Sequence, residues 1–330
     1  MTVKIIRTKI YDPWMNLAVE EYLLEDIKEG EYILYLWQNE NTVVIGKNQN
    51  PWSECRSELL EKENGKLARR ISGGGAVYHD LGNLNFTFIM RKDTYNIDKQ
   101  FDVILNSVKS LGINAIKTGR NDIVVNNKKF SGNAFCFKKH SAYHHGTILV
   151  SANLNKLTKF LQVSKDKIEA KGIKSVKSRV TNLNEINKDI TIDMVSDAII
   201  KAYTKIYGEA EKIYDNINHL DSKKLDELYK KYSSWEFRYG EAPKFDITFE
   251  TRFIWGGVTF GFSLKKGIVE KAKIYSDAMD EQYISQLEIQ LHSIRFTKND
   301  IIKVVSELYA NKEQLVMKSD IIKYFESKEF

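Results

Sequence analysis

Four segments of the 330-residue chain bring together residue types that can do chemistry. The first is Arg69-Arg70-Ile71-Ser72-Gly73-Gly74-Gly75-Ala76-Val77-Tyr78-His79-Asp80. Each glycine costs roughly 0.5–1 kcal/mol relative to alanine in regular structure, so three in a row serve positive φ or a close backbone approach. The N–H groups of such a loop cradle phosphate oxygens, and Arg70 beside it supplies a bidentate clamp. No Gly-Lys-Ser/Thr follows, so this is not a Walker loop. Gly73-x-Gly75-x-x-Tyr78 lacks the third glycine of a dinucleotide fingerprint. The second segment runs from Gly119-Arg120-Asn121-Asp122 to Lys128-Lys129-Phe130-Ser131-Gly132-Asn133-Ala134. Asp122 suits a hydrated Mg²⁺, which is usually anchored by one or two carboxylates plus phosphates. Lys128 and Lys129 open a strand and point to opposite faces, so only one of them meets a given cavity.

The third segment is Tyr143-His144-His145-Gly146-Thr147. Neighbouring histidines on a strand diverge, and no H-E-x-x-H accompanies them, which argues against a shared metal and leaves structural hydrogen bonding as the plain alternative. The fourth is the basic stretch Lys171, Lys174, Lys177 and Arg179, either a solvated loop or a flap over an anionic ligand. Cys136, close to Lys129 in sequence, is a candidate for a covalent thioester.

These residues need elements to place them. Met15, Ala18, Val19, Tyr22 and Leu23 recur at helical spacing and predict a helix with one buried face, started by Asp12-Pro13. Tyr32–Trp37 and Thr42–Gly46 flank Gln38-Asn39-Glu40-Asn41 and predict a β-hairpin. Leu84–Met90 alternates as a strand. Phe101, Ile104, Leu105 and Val108 predict a second helix; Val195 to Ile206 a third, stopped by Gly208. Ile123–Val125 and Thr147–Val150 are strands, with Asn126-Asn127 as a hairpin turn. Beyond Gly240-Glu-Ala-Pro243, Phe253–Leu264 and Val269–Tyr275 form a hairpin through Lys265-Lys266-Gly267. Helices follow over Ser285–Ile294, Lys298–Tyr309 and near the C-terminus. The class is α+β (mixed α/β), divided as 1–240, a linker 241–246, and 247–330.

Composition bounds the rest. Apolar residues make up 42% and charged residues 28%, the balance of a folded chain rather than a disordered one. No apolar run reaches the roughly 18 residues of a membrane span, and the first residues show no leader pattern. Two cysteines exclude a disulfide framework and fit reduced thiols in the cytoplasm. The net charge of +6 comes from scattered lysines, which predicts no nucleic-acid partner.

Arg70–Asn83, Gly119–Asp122, Lys129–Ala134 and His144–Thr147 together resemble the lipoate–protein ligase A family, in the superfamily of biotin ligases and octanoyltransferases. Asp12–Glu21, Thr42–Gly46, Gln49–Trp52, Lys177–Leu183, Ser234-Trp235 and Pro243 extend the resemblance along the chain. It implies a catalytic domain of mixed sheets flanked by helices, plus a small α+β accessory domain. It also implies activation of lipoate with ATP and Mg²⁺ to lipoyl-AMP, then transfer to one lysine of an apo lipoyl domain. The implied acceptors are E2 subunits of 2-oxoacid dehydrogenases and the glycine-cleavage H protein, and the enzyme is expected to be a monomer.

Carried over residue by residue, Lys129 is the central catalytic lysine. Arg70, Gly75, Ala76, Val77, Tyr78, Asn121 and Asp122 fall to the nucleotide, with Asp122 on Mg²⁺. Leu17, Val19, Val44, Ser72, Gly74, Gly75, His79, Ser131, Gly132, His145 and Gly146 join Arg70 and Lys129 around lipoate. The Lys171–Arg179 segment resembles the family's adenylate-covering loop. Two positions depart from the family pattern: Asn133 stands where serine is usual, and Phe130 where valine or isoleucine is. Two other readings compete. A cysteine-dependent octanoyl or lipoyl transferase would carry a cysteine near Gly119–Asp122, where there is none. A ligase-like regulator would need a helix-turn-helix ahead of Asp12.

Overall fold

The computed structural model describes residues 2–162, 180–239, 246–265 and 267–328. The basic stretch from Lys171 to Arg179, most of the expected linker and Lys266 lie outside them. Among the described residues the strands form one sheet of eight and two of three.

The large sheet runs in the order β11-β1-β2-β6-β10-β9-β8-β7. Its strands are β1 (Thr2–Arg7), β2 (Glu31–Trp37), β6 (Asn83–Arg91), β7 (Ile116–Thr118), β8 (Asp122–Val125), β9 (Lys128–Phe137), β10 (Ser141–Leu149) and β11 (Lys212–Tyr214). β11, β1 and β2 pair in parallel, and the others are antiparallel. Helices cover both faces. On one, α4 (Ile97–Ser110) and α6 (Ile192–Tyr207) close a core around Phe86, Phe88, Phe101, Ile199 and Tyr203. On the other, α1 (Pro13–Asp26) and α7 (Ser222–Ser233) close a second core around Leu17, Leu24, Tyr35, Tyr143 and Tyr232. β6 is therefore buried on both faces: Asn85, Thr87 and Ile89 are as inaccessible as Leu84, Phe86 and Phe88.

A small sheet, order β4-β3-β5, lies beside it: β3 (Thr42–Ile45), β4 (Lys66–Arg69) and β5 (Val77–His79). With α2 (Pro51–Glu54), α3 (Ser57–Lys62) and α5 (Leu154–Phe160) it builds a third core around Val43, Leu60 and Phe160. Short α8 (Trp235–Arg238) follows α7. The C-terminal core is drawn wholly from residues between Phe249 and Phe325. It holds β12 (Ile247–Phe253), β13 (Gly256–Lys265) and β14 (Ile268–Ser276) under α9 (Glu281–Gln290), α10 (Lys298–Glu307) and α11 (Gln314–Glu326).

Several local expectations hold. The Asp12 side chain caps α1 by accepting from the backbone N–H groups of Trp14 and Met15, with Pro13 in the first turn. Gly208 ends α6 at φ 99°. Asn126 and Asn127 both have positive φ, as a type I′ two-residue hairpin turn requires.

Others need correction. β2 and β3 are not a hairpin; they belong to different sheets. The polar residues between them are a crossing held by Asn16, whose amide donates to the Gln38 carbonyl and to Asn39 Oδ1. α1 has no single buried face, since Asn16 to Leu24 are all buried between the large sheet, β4 and α7. The run from Phe253 is interrupted at Ile254-Trp255, a tight turn that separates β12 from β13. The helix expected over Ser285–Ile294 begins earlier, at Glu281, where Asp280 caps it, and ends at Gln290.

Candidate active site

A cavity of about 140 Å³ opens where α1, β3, β6, the glycine loop after β4, and the β9–β10 strands converge. Lys129 stands at its wall. Its ammonium nitrogen lies 2.6 Å from Asp122 Oδ1 across the β8–β9 pair, and both side chains are about a third exposed (34%). Gly132 makes room for it: a Cβ there would come within 2.8 Å of Lys129 Nζ. Lys129 therefore lies flat along its own strand toward the cavity, while Lys128 is exposed. Among the described residues no cluster of three His, Cys, Asp or Glu side chains could hold a metal alone. A single carboxylate, Asp122, fits the mode in which Mg²⁺ rests mostly on water and phosphate oxygens.

The glycine loop, braced from within by Arg70, lines the same cavity. That residue is 6% exposed. Its guanidinium donates to Ser72 Oγ (3.0 Å), and to the carbonyls of Gly73 (2.7 Å), Gly75 (2.8 Å) and Val44 (3.3 Å). Burial pulls its pKa down to about 10, against the pull of Tyr143 and Glu20. Arg70 lines the cavity with its donors turned to the loop, so its first structural task is to shape the loop's carbonyls. The glycines have separate reasons. Gly74 has φ 92°, and a Cβ on Gly73 would sit 2.5 Å from the Ala278 carbonyl oxygen; a Cβ on Gly75 would meet nothing within 4 Å.

Behind Arg70 runs a buried polar chain. Ser72 Oγ lies 2.9 Å from His145 Nε2, and His145 Nδ1 lies 2.8 Å from Glu20 Oε1. Thr87 Oγ1 donates to the same carboxylate oxygen at 2.7 Å. The two histidines part as adjacent strand residues must. His144 turns to Gln100 and Asn133 among the rings of Phe86, Phe88, Phe101 and Phe135. Burial drives its pKa well below the usual value.

Of the expected residues, Leu17, Val44, Arg70, Gly74, Gly75, Ala76, Val77, His79, Asn121, Lys129, Gly132, His145 and Gly146 line the cavity. Val19 does not; it is buried in the core under α1. Tyr78 turns its ring away onto Phe160 and its hydroxyl to Asn41, as alternation along β5 demands. Ser72 and Ser131 sit one layer back, Ser72 on His145 and Arg70, Ser131 accepting from Asn133. Asp122 reaches the cavity only through Lys129. His79 is pushed down to about 3 by burial, then by Arg70 and His145. Its Nδ1 faces Asn39, while its Nε2 has no partner among the described residues.

The lining also includes Trp37, Asn85, Asn133, Ala134 and Thr147, which the motifs do not single out for the pocket. Glu20 lies inside the matching stretch Asp12–Glu21, which assigns it no role. A charged residue inside the apolar run of a helix is the available signal. Cys136 is 1% exposed and does not line the cavity; burial pushes its thiol up to about 12. That environment opposes a thiolate nucleophile.

Comparison with known proteins agrees with this geometry. Residues 12–204 match the lipoyl protein ligase A/B catalytic domain, and residues 242–325 the bacterial lipoate protein ligase C-terminus. The chain is 39% identical to lipoate-protein ligase A of Psychrobacter cryohalolentis over 97% of its length and 96% of the relative's. It superposes on P. falciparum LipL1, solved in complex with lipoate, with a TM-score of 0.85 and 34% identity, covering 98% of this chain and 100% of that one. A lipoate-protein ligase A bound with ATP matches at TM-score 0.60 and 28% identity, over 73% of this chain and 99% of that one. With both family models matched in order, the cavity lining from Leu17 to Thr147 inside the catalytic match, and a relative 39% identical over nearly the whole chain, the chain belongs to the lipoate–protein ligase A family.

Proposed function

We propose that this cavity joins lipoate to ATP and then passes the lipoyl group to a protein lysine, with Lys129 as the catalytic cation. The observation that carries the reading is that Lys129 and the glycine loop line one and the same cavity. In the first step a lipoate carboxylate oxygen attacks the α-phosphorus, an O–P bond forms, and the bond to pyrophosphate breaks. Negative charge grows on the phosphate oxygens, where positioned cations and N–H groups matter most. Lys129 leaves Asp122 to meet the α-phosphate and the lipoyl carbonyl. The backbone of Gly75, Ala76 and Val77 flanks the nucleotide, and Arg70 holds that backbone in shape. Asn121 and Asp122 complete the nucleotide side. Asp122 would hold Mg²⁺, which supplies charge neutralisation on the phosphates. Leu17 and Val44 give the acyl chain its apolar wall, beside His79, His145 and Gly146. In the second step an acceptor lysine amine attacks the carbonyl, and AMP leaves as the amide forms.

Ligases of this family act on lipoyl domains. For this chain we assign apo lipoyl domains of E2 subunits and the glycine-cleavage H protein as acceptors, taken by a cytoplasmic monomer. Buried, unpaired thiols support a reducing compartment, and among the described residues no helix is long and apolar enough to cross a membrane. The division into residues 1–240, a linker 241–246 and residues 247–330 is supported by the separate C-terminal core.

The deciding experiment incubates the protein with lipoate, MgATP and an apo acceptor domain, and weighs the acceptor by mass spectrometry. The expected result is one lipoyl addition that requires ATP and persists in Cys136→Ala. Addition without ATP, or its loss in Cys136→Ala, would overturn the ligase reading in favour of the thioester transferase.

A further inference from the structure

Arg69 and Arg70 are consecutive residues at the end of an extended strand, so their side chains leave in opposite directions. Arg70 serves the cavity. Arg69 is equally hidden, at 9% exposure, and does not line the cavity. Its guanidinium is spent on backbone carbonyls. Nη1 donates to Gln49 (2.7 Å), Lys47 (2.9 Å) and Gly46 (3.2 Å). Nε donates to Phe237 (2.9 Å) and Nη2 to Arg238 (2.8 Å). Among the described residues no carboxylate lies within ion-pair distance of it. A buried charge without a counter-ion persists only where hydrogen bonds replace its lost hydration, and here the carbonyls of Gly46, Lys47, Gln49, Phe237 and Arg238 do so.

What it holds is the small domain's footing. The loop of residues 46–49 is one place where that domain rests; another is the Phe137 carbonyl on β9, which accepts from Gln282 Nε2. The Ser276 N–H donates to the Asn48 carbonyl at 2.8 Å, and Asn48 Nδ2 donates to the Glu281 carbonyl at 3.1 Å. Phe237 and Arg238 form the last turn described before the small domain begins. The same loop also braces the glycine loop, since Lys47 N–H donates to the Ser72 carbonyl at 2.9 Å. The small domain touches the glycine loop directly. Gly74 N–H donates to the Ala278 carbonyl at 3.1 Å, and the Met279 sulfur lies 3.8 Å from Asn121 Nδ2 at the cavity wall.

We infer that Arg69 is a positioning residue that fixes the small domain against the glycine loop, by clamping the docking loop, residues 46–49, to the helical turn Phe237-Arg238. Carbonyls from two segments far apart in the chain converge on one rigid fork, a geometry that guanidinium supplies and ammonium does not. Through that clamp the placement of Ala278 and Met279 beside Gly74 becomes a property of the same strand end that carries Arg70. The inference rests on the ligase reading only for what the docking serves.

Hydrogen exchange tests it, because backbone bonds of Ser276 and Gly74 cross between the domains. In Arg69→Met the Ser276 and Gly74 amides are expected to exchange at least about tenfold faster, while the β6 amides of the central sheet keep their protection. Arg69→Lys, which keeps the charge but not the fork, is expected to shift the same two amides by less, and serves where the methionine variant fails to fold. Unchanged exchange at Ser276 and Gly74 relative to β6 overturns the proposal. So does acceleration of all three in equal proportion, which would make Arg69 an ordinary fold residue. A protein with no lipoate-dependent pyrophosphate exchange would sink the ligase reading and leave this ratio untouched, so the two failures are distinguishable.

Discussion

Lys129 shows how much of a site one residue can reveal. Its neighbour Asp122 is its ion-pair partner, both are a third exposed, and the surrounding strands are held by backbone pairing. Removing the side chain therefore leaves the fold standing. Lys129→Ala is expected to abolish lipoate-dependent pyrophosphate exchange, to keep the parent's circular dichroism, and to keep its unfolding free energy within about 0.5 kcal/mol, the usual range for a surface substitution. Exchange at a near-normal rate would remove Lys129 from its assigned role. The lysine is legible in the sequence because it sits inside a long motif. Glu20 also sits inside a matching stretch, Asp12–Glu21, but its role is not legible there, because it depends on His145, far along the chain, and on Ser72 beyond it. Val19 misleads for a similar reason: a helix buried all round offers no sequence signal for which face meets a ligand. Tyr78 matches the motif by its backbone, while strand alternation sends its side chain elsewhere.

At the scale of elements, the glycine loop separates structural need from ligand need. Gly74 has a backbone that an L side chain rarely adopts, and its Cβ would press on Arg70 Nη2 at 2.9 Å. Gly75 has neither constraint. Gly74→Ala is expected to lower stability by about 1–2 kcal/mol, whereas Gly75→Ala leaves the denaturation midpoint alone and raises the KM for ATP. Equal KM values for parent and Gly75→Ala would show that the nucleotide does not approach this backbone. Local signals locate most elements, because caps, turns and periodicity are local: Asp12 at α1, Asn126-Asn127 between β8 and β9, Gly208 after α6. Pairing is harder to read. Gln38-Asn39-Glu40-Asn41 has the composition of a hairpin turn, and only the long-range bonds from Asn16, together with Asn39 facing His79, turn it into a crossing between sheets. The C-terminal sheet's first strand, β12, is hidden by its continuity with the apolar run that follows.

At the scale of the whole molecule, the join between the domains carries a carboxylate with a pH-dependent cost. Glu281 opens α9 and is 5% exposed. Burial raises its pKa to about 7, helped by Asp280 and opposed by Lys47 and Lys138 of the catalytic domain. Those two lysines place the group at the interface, where Asn48 also holds its backbone carbonyl. The sign follows from linkage. A carboxyl whose pKa is higher docked than undocked favours docking most at low pH, where it is protonated in both states. Docking weakens as pH climbs through the ordinary carboxylate range, and the loss levels off above about 7. The full effect is at most roughly 3.5 kcal/mol. Small-angle scattering between about pH 5 and about pH 8.5 is therefore expected to show the protein expanding as pH rises, with Glu281→Gln compact throughout. Because Arg69 clamps the loop that Glu281 faces, Arg69→Met is expected to shift the expansion to lower pH without changing its direction. A profile that is flat in the parent, or equally steep in Glu281→Gln, would assign the pH response to other groups.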